Sequence, residues 1–307
     1  MVSVTQIVKQ AKQPRGGYLP ISTFDEIQFN DNNELKEENI HSSLVGLVVD
    51  YLTRFMLTKN LENSFRISIM GSMMAKDKEY ASNLLNDIKG IDDKSIESAC
   101  KLVGYDVFVR AGGIGYNDIR TINPDKDTIE NIRIMIKRSL SFYKEYGPII
   151  KEGFSFEGGY TNIIDRGDGD FLTKDTLWDF KVSKNKPKSS HTLQLLIYYI
   201  MGLHSIHNEF PRIKKLGIYN PRLNTIYLVQ IANINKNIID EVSNKIIGYN
   251  DKAKNLELNQ KVKFNVNDIN ELSMAEIMKE LNCTRYMVMK YYFKKVYHYI
   301  KNQINII

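Results

Sequence analysis

Leu177-Trp178-Asp179-Phe180-Lys181-Val182 is the stretch that decides the fold, and Gly167-Asp168-Gly169-Asp170 precedes it by about the length of a hairpin. Side chains of a β-strand alternate between its two faces. A strand over 177–182 therefore places Asp179 and Lys181 on one face and the large apolar side chains on the other. The pattern predicts an acid and a lysine that project together from a strand whose back face lies in the core.

Asp170 adds a second carboxylate just upstream of this strand. Mg²⁺ is commonly held by one or two carboxylates while it keeps several waters, and a lysine stabilises negative charge that develops on a phosphoryl group. Asp170, Asp179 and Lys181 therefore indicate metal-assisted attack of water on a phosphodiester. The alternative is that Asp179 and Lys181 form a cross-strand charge pair on the surface.

Three short motifs occur in a fixed order here: G-x-x-D from Gly167 to Asp170, D-x-K from Asp179 to Lys181, and Q-x-x-x-Y from Gln194 to Tyr198. Together they resemble the PD-(D/E)XK nuclease superfamily, in its RecB-type and lambda-exonuclease-like branch. The resemblance implies an α/β, restriction-endonuclease-like fold. That fold is a mixed central sheet flanked by helices, here with a helical insertion and a helical C-terminal segment.

The resemblance also implies an activity and a set of site residues. The activity is metal-dependent hydrolysis of DNA phosphodiester bonds with Mg²⁺ or Mn²⁺, in repair, recombination, phage biology or defence. The catalytic residues that it implies are Asp170, Asp179, Lys181, Glu157, Gln194 and Tyr198. The metal ligands would be Asp170, Asp179 and Glu157, with the Phe180 carbonyl as a further oxygen. His191, on the same helical face as Gln194, is expected to contact DNA.

A first helix is predicted over 41–58, where apolar residues recur at helical spacing. Related enzymes often carry a metal-binding histidine there, in a Gly-x-x-x-His context. This chain has Gly46 followed by Asp50 at the histidine position. Carboxylate oxygen suits Mg²⁺ or Mn²⁺, so Asp50 is either a further metal ligand or an exposed helix acid.

The chain divides at a change in pattern near residue 152. Residues 1–35 are polar and carry loop signals, 61–150 are predicted to be several helices, and strands follow at 154–157, 163–172, 176–183, 213–219 and 225–231, with a helix at 190–207. We therefore expect a nuclease-like domain over 1–260 with a helical insertion at about 61–150. That insertion is a candidate surface for a homo-oligomer or protein partner.

Residues 261–307 are expected to form a helical C-terminal segment. Ser273 is a good N-cap with Glu276 at the capping-box position, and Asn282 sits in a tight turn. The pattern over 273–292 resembles a helix-turn-helix, in which Arg285, Tyr286 and Lys290 would face DNA. The alternative is a plain helical hairpin that closes the core.

Composition limits the remaining function classes. The 307 residues are 43% hydrophobic and 25% charged, with a net charge of +6, which is compatible with a polyanionic partner. The two cysteines exclude a four-cysteine iron–sulfur cluster. No Walker A motif occurs, so we expect no ATP site. No apolar run spans a bilayer and no signal peptide is recognised, so we expect a cytoplasmic protein without membrane association.

Two other classes of function remain open. A non-catalytic DNA-binding protein could keep the nuclease fold as a scaffold, although the intact Asp170, Asp179 and Lys181 argue against this. A structural or interaction protein could instead use the helical region 61–150 rather than its acids.

Overall fold

A six-stranded mixed sheet lies at the centre of the computed structural model, which describes residues 2–250. The strands are β1 (Val2–Ser3), β2 (Asp25–Gln28), β3 (Lys151–Ser155), β4 (Ile164–Arg166), β5 (Asp168–Leu172), β6 (Thr176–Phe180), β7 (Lys215–Asn220) and β8 (Thr225–Gln230). The sheet order is β2-β8-β7-β6-β5-β3, while β1 and β4 form a separate two-stranded pair.

The helices flank this sheet. They are α1 (Val4–Gln10), α2 (Ser42–Thr58), α3 (Leu61–Ser64), α4 (Arg66–Met74), α5 (Lys78–Asp87), α6 (Asp93–Leu102), α7 (Asp106–Ala111), α8 (Lys126–Tyr146), α9 (Ser189–Leu203) and α10 (Lys236–Glu241). A π-helical turn over Val242–Ile247 follows α10. The chain is therefore a mixed α/β protein with helices against its central sheet.

Strands β6 and β7 pair in parallel, and every other neighbouring pair in the six-stranded sheet is antiparallel. A parallel pair needs a crossover connection, and α9 supplies it between β6 and β7. The βα junction therefore carries the chain from the end of β6 directly to the start of α9. This connection brings the D-x-K and Q-x-x-x-Y segments together.

The two faces of the sheet pack against different helices. On one face, Leu172 and Leu177 share a core with Leu193 and Leu196 of α9. On the other, the ring of Phe142 in α8 lies 4.9 Å from that of Trp178, centroid to centroid. Because both faces are covered, the sheet holds β6 between two apolar layers.

Helices α2 to α8 occupy the region that was predicted to be helical. They share a second core, in which α2, α6 and α8 contribute Leu52, Ile96 and Ile132, all fully buried. Helix α8 also covers one face of the sheet through Phe142. Helix α8 thus joins the helical region 61–150 to the sheet.

Some predicted elements differ from those observed. The single strand expected over 163–172 is divided into β4 and β5 at Gly167. The N-terminal residues, predicted as loops, contain β1, α1 and β2. Helix α1 begins with a capping box in which Ser3 and Gln6 bond each other's backbone N–H groups.

The predicted C-terminal segment 261–307, with the helix-turn-helix residues Arg285, Tyr286 and Lys290, lies outside the described residues. Within residues 2–250, no helix is both long and apolar enough to cross a membrane.

Arg138 of α8 ties the helical region to the end of the sheet. Its guanidinium donates to both carboxylate oxygens of Asp31, at 2.6 and 2.8 Å, and to the backbone carbonyls of Pro221 and Arg222, each at 3.1 Å. The arginine side chain is only 7% exposed. These hydrogen bonds hold the pKa of Asp31 well below its usual range.

Replacing Arg138 with Met should destabilise the protein by about 3–5 kcal/mol, because it leaves Asp31 and the backbone carbonyls of Asn33, Pro221 and Arg222 without their buried donor. Chemical denaturation followed by circular dichroism measures this loss. Lys137→Met, at the exposed neighbouring position of the same helix, is the matched control and should change stability by about 0.5 kcal/mol or less. Equal stabilities for the two variants would show that the Arg138 network contributes nothing.

Candidate active site

The pairing of β5 with β6 brings two acids side by side. Leu172 pairs with Leu177 in the antiparallel ladder, and both belong to the core under α9. Asp170 and Asp179 lie two residues away from this pair, one on each strand, and therefore project from the same face. This is the arrangement that the sequence predicted.

Hydrogen bonds fix the two carboxylates differently. Oδ2 of Asp170 accepts the backbone N–H of Phe180 at 2.7 Å. Oδ1 of Asp179 accepts from Nζ of Lys181 at 2.9 Å. Asp179 is 1% exposed, and its second oxygen, Oδ2, is buried with no hydrogen-bond partner among the described residues.

Burial raises the pKa of Asp179 to about 6, because it penalises the charged carboxylate. Lys181 opposes this shift, whereas the nearby charge of Asp170 adds to it. Burial also lowers the pKa of Lys181, but attraction to Asp179 and Asp170 raises it by more. The site thus holds two acids at close range, and the positive charge of Lys181 can neutralise only one of them.

A divalent cation fits this donor set. Oδ2 of Asp179 is a buried carboxylate oxygen that has no hydrogen-bond partner within residues 2–250, and it lies beside a second carboxylate. Hard cations prefer such oxygens, and Mg²⁺ is often held by one or two carboxylates with water and substrate phosphate as the remaining ligands. Within residues 2–250, no group of three or more His, Cys, Asp or Glu side chains is placed to hold a metal. The fit therefore rests on Asp170 and Asp179 alone.

Glu157 does not join this pair, contrary to the prediction. Strand β3 ends at Ser155, and the glycines that follow, with Gly158 at φ +87°, turn the chain away. The Glu157 carboxylate accepts a hydrogen bond from the Ser155 hydroxyl, and its backbone carbonyl accepts from Ile206, beyond the C-terminal end of α9. The sequence alternation suggested a strand over 154–157, but the turn ends it before residue 157.

Gln194 and Tyr198 contact each other on α9. Nε2 of Gln194 donates to the Tyr198 hydroxyl at 2.9 Å, and both side chains are buried. Burial and the nearby charges of Asp179 and Asp170 raise the pKa of Tyr198 well above its usual value. A Cβ at Gly167 would lie 3.4 Å from the Tyr198 ring and 2.9 Å from Val4, so the glycine permits this close packing. The two residues line the site from inside the core.

His191 lies in the first turn of α9, near Lys181. The backbone N–H of Lys188 donates to its Nδ1 at 3.3 Å, so a neutral ring would carry its proton on Nε2. Burial, together with the charges of Lys181 and Lys188, lowers the pKa of His191 to about 4. The residue expected to contact DNA is therefore an uncharged hydrogen-bonding group at neutral pH.

Asp50 approaches the site from α2, but both of its carboxylate oxygens are bonded to Arg54. Nε and Nη2 of Arg54 donate to the two carboxylate oxygens of Asp50 at 2.9 and 2.8 Å. Burial raises the pKa of Asp50, Arg54 lowers it, and the charge of Asp170 raises it further. Asp50 is thus within electrostatic reach of Asp170, and a metal ion would have to compete with Arg54 for it.

Arg54 and Tyr143 are two neighbours of the site that the sequence interpretation missed. Asp50 and then Asp170 raise the pKa of Arg54, against the effect of burial. Burial, followed by the charges of Asp50 and Asp170, raises the pKa of Tyr143. The four-residue spacing from Asp50 to Arg54 is a signal for an ion pair on a helix. Tyr143 carries no comparable signal, because its position depends on how α8 packs against the sheet.

No protein-family model, no curated protein and no solved structure matches this chain. The geometry of the site is therefore the basis for its interpretation.

Replacing Asp179 with Asn should stabilise the metal-free protein at pH 7.5. The pKa of an aspartate is near 3.9 in the unfolded chain and about 6 for Asp179 in the folded protein. Keeping Asp179 ionised in the folded state at pH 7.5 therefore lowers the free energy of unfolding by on the order of 1–3 kcal/mol. The gain should fade below about pH 4, where the carboxyl is protonated in both states. Urea denaturation at several pH values, in EDTA, measures it.

Asp175→Asn is the matched control, since Asp175 lies in the turn between β5 and β6 and pairs with Lys215 at 3.1 Å. The pKa of Asp175 is lowered: burial raises it, but hydrogen bonds from Thr176 and Lys215 lower it by more. This variant should lose a little stability at pH 7.5. A loss of several kcal/mol for Asp179→Asn would instead mean that the buried carboxylate is well satisfied.

Proposed function

We propose that this protein is a metal-dependent deoxyribonuclease of the PD-(D/E)XK superfamily, with a restriction-endonuclease-like sheet. The observation that carries the proposal is the pair Asp170 and Asp179 beside Lys181, in which one buried carboxylate oxygen has no hydrogen-bond partner in the part of the chain that the structure describes. Two adjacent acids with a lysine suit phosphodiester hydrolysis, because both a cation and a developing phosphoryl charge must be held.

Asp170 and Asp179 would hold the cation. When bound, Mg²⁺ or Mn²⁺ would polarise the phosphate and lower the pKa of a bound water. Asp170 is oriented for this role by the backbone N–H of Phe180. Asp179 is held by its strand and by Lys181. The protein therefore supplies two fixed carboxylates and leaves the other ligand positions to water and substrate.

Lys181 would act on the phosphate itself. Its side chain is 26% exposed, so it can reach a substrate while it stays paired with Asp179. As water attacks phosphorus and the bond to the leaving oxygen breaks, negative charge grows on the phosphoryl oxygens, and the ammonium stabilises it. The upward shift of the Lys181 pKa keeps this group protonated at neutral pH.

Gln194 and Tyr198 would position these groups rather than contact DNA. Both are buried, and the Tyr198 hydroxyl already accepts a hydrogen bond from Gln194. His191 is partly exposed at the start of α9, and its uncharged ring would donate a hydrogen bond to a phosphate oxygen from Nε2.

Purified protein should cut DNA with Mg²⁺ or Mn²⁺ and stop in EDTA. Asp170→Asn and Lys181→Met should each lower the cleavage rate by roughly 10²-fold or more, because each removes a charged group at the reacting phosphate. Gel assays on linear duplex, closed circular and single-stranded DNA measure the rates. Circular dichroism verifies that each variant is folded.

Asp175→Asn and Lys174→Met are the controls, since both residues lie in the turn at the other end of β5 and β6. They should keep near-normal rates. Undiminished cleavage in EDTA, or full activity of both site variants, would refute the mechanism. DNA that is bound but never cut under any metal condition would favour the non-catalytic DNA-binding alternative.

A further inference from the structure

Residues 1–24 and residues 180–208 are two basic segments without an acidic residue. Residues 1–24 carry Lys9, Lys12 and Arg15 without any Asp or Glu. Residues 180–208, from the end of β6 to beyond α9, carry lysines at positions 181, 184, 186 and 188, also without an acid. Each of these two stretches is therefore a local concentration of positive charge.

The fold places the two segments against each other. Residues 14–17 form a turn, closed by a hydrogen bond of 2.8 Å from Gly17 N–H to the Pro14 carbonyl. A Cβ at Gly17 would lie only 2.6 Å from Cβ of Ser189, the first residue of α9. The Arg15 turn therefore rests directly on the start of α9, next to Lys188.

Three basic side chains of these segments form no salt bridge within residues 2–250. Lys12, Arg15 and Lys188 are exposed, and the salt bridges of residues 2–250 include none of them. By contrast, Lys184 and Lys186 bond Glu37 and Glu26. We call Lys12, Arg15 and Lys188 the basic surface.

The basic surface adjoins the candidate active site. The backbone of Lys188 donates to His191, and His191 senses the charges of both Lys188 and Lys181. Lys181 in turn bonds Asp179 at 2.9 Å. Positive charge thus continues from the Arg15 turn along the start of α9 to the paired acids.

We propose that the basic surface binds backbone phosphates of the nucleic-acid strand that enters the active site, next to the phosphate that is cut. Its charges are exposed on long side chains from two segments, which suits a row of phosphates along a polymer. The inference rests on the proposed function, because it takes its substrate class from that site.

The test measures binding without cleavage. Fluorescence anisotropy with a labelled duplex oligonucleotide, in EDTA and over 50–200 mM salt, gives the slope of log affinity against log salt concentration. Arg15→Gln/Lys188→Gln should lower this slope by about two units, since each phosphate contact contributes about 0.9. Between 50 and 200 mM salt, the factor by which affinity falls would then be about ten times smaller for the variant than for the wild type.

Lys78→Gln/Lys174→Gln is the matched control, because both residues are exposed, lie outside the two acid-free segments and remove the same charge. It should bind with the wild-type slope. Equal slopes for the two double variants would contradict the proposal that the basic surface binds phosphates. If wild-type protein never cuts DNA with metal but the slope still falls in Arg15→Gln/Lys188→Gln, the nuclease proposal fails and the binding surface stands.

Gly17→Ala tests the geometry without changing any charge. Gly17 has φ +92°, and an added Cβ would collide with Ser189, so the Arg15 turn must move off α9. Affinity at 50 mM salt should fall while the melting temperature confirms a folded protein. Unchanged affinity in a folded Gly17→Ala protein would show that the position of the turn does not matter for binding.

Discussion

Strand β6 is held between two apolar layers, and the position of Asp179 depends on that packing. Trp178 faces the aromatic rings of α8 and Leu177 faces α9, while β7 pairs along the full length of the strand with Asp179 opposite Ile218. A strand fixed on both faces and along one edge cannot shift to relieve a charge. Asp179 is therefore kept at 1% exposure.

The antiparallel neighbour β5 then brings Asp170 close to Asp179. Lys181 offsets only part of the combined effect of burial and of the repulsion between the two carboxylates, so the pKa of Asp179 stays raised. Such a pair does not stabilise the fold, because a buried carboxylate oxygen costs free energy when, like Oδ2 of Asp179, it has no hydrogen-bond partner among the described residues. A buried acid whose pKa is raised by burial and a neighbouring like charge is typical of functional sites. A proton relieves the repulsion in acid and a divalent cation relieves it at neutral pH, and this links the electrostatics to the proposed chemistry.

The sequence predicted the parts of this arrangement that depend on local pattern. The apolar period over 41–58 matched α2, and the alternation over 177–182 put Asp179 and Lys181 off the face that Trp178 occupies. The prediction for Glu157 was wrong because β3 ends at Ser155, two residues before it, and the chain turns at Gly158 and Gly159. Strand β2 was missed because all four of its residues are exposed; it forms through pairing with β8, which local sequence does not encode. The Ser3–Gln6 capping box was visible in the sequence, but the helix that it starts has only seven residues.

The central claim is that Asp170 and Asp179 bind one divalent cation between them. Crystals soaked in Mn²⁺ and measured at the manganese absorption edge test it most directly, because anomalous scattering locates the metal without reference to activity. We expect one strong anomalous peak in contact with carboxylate oxygens of both residues, including Oδ2 of Asp179. Fully occupied manganese elsewhere on the protein, with no peak at this pair, would contradict the claim.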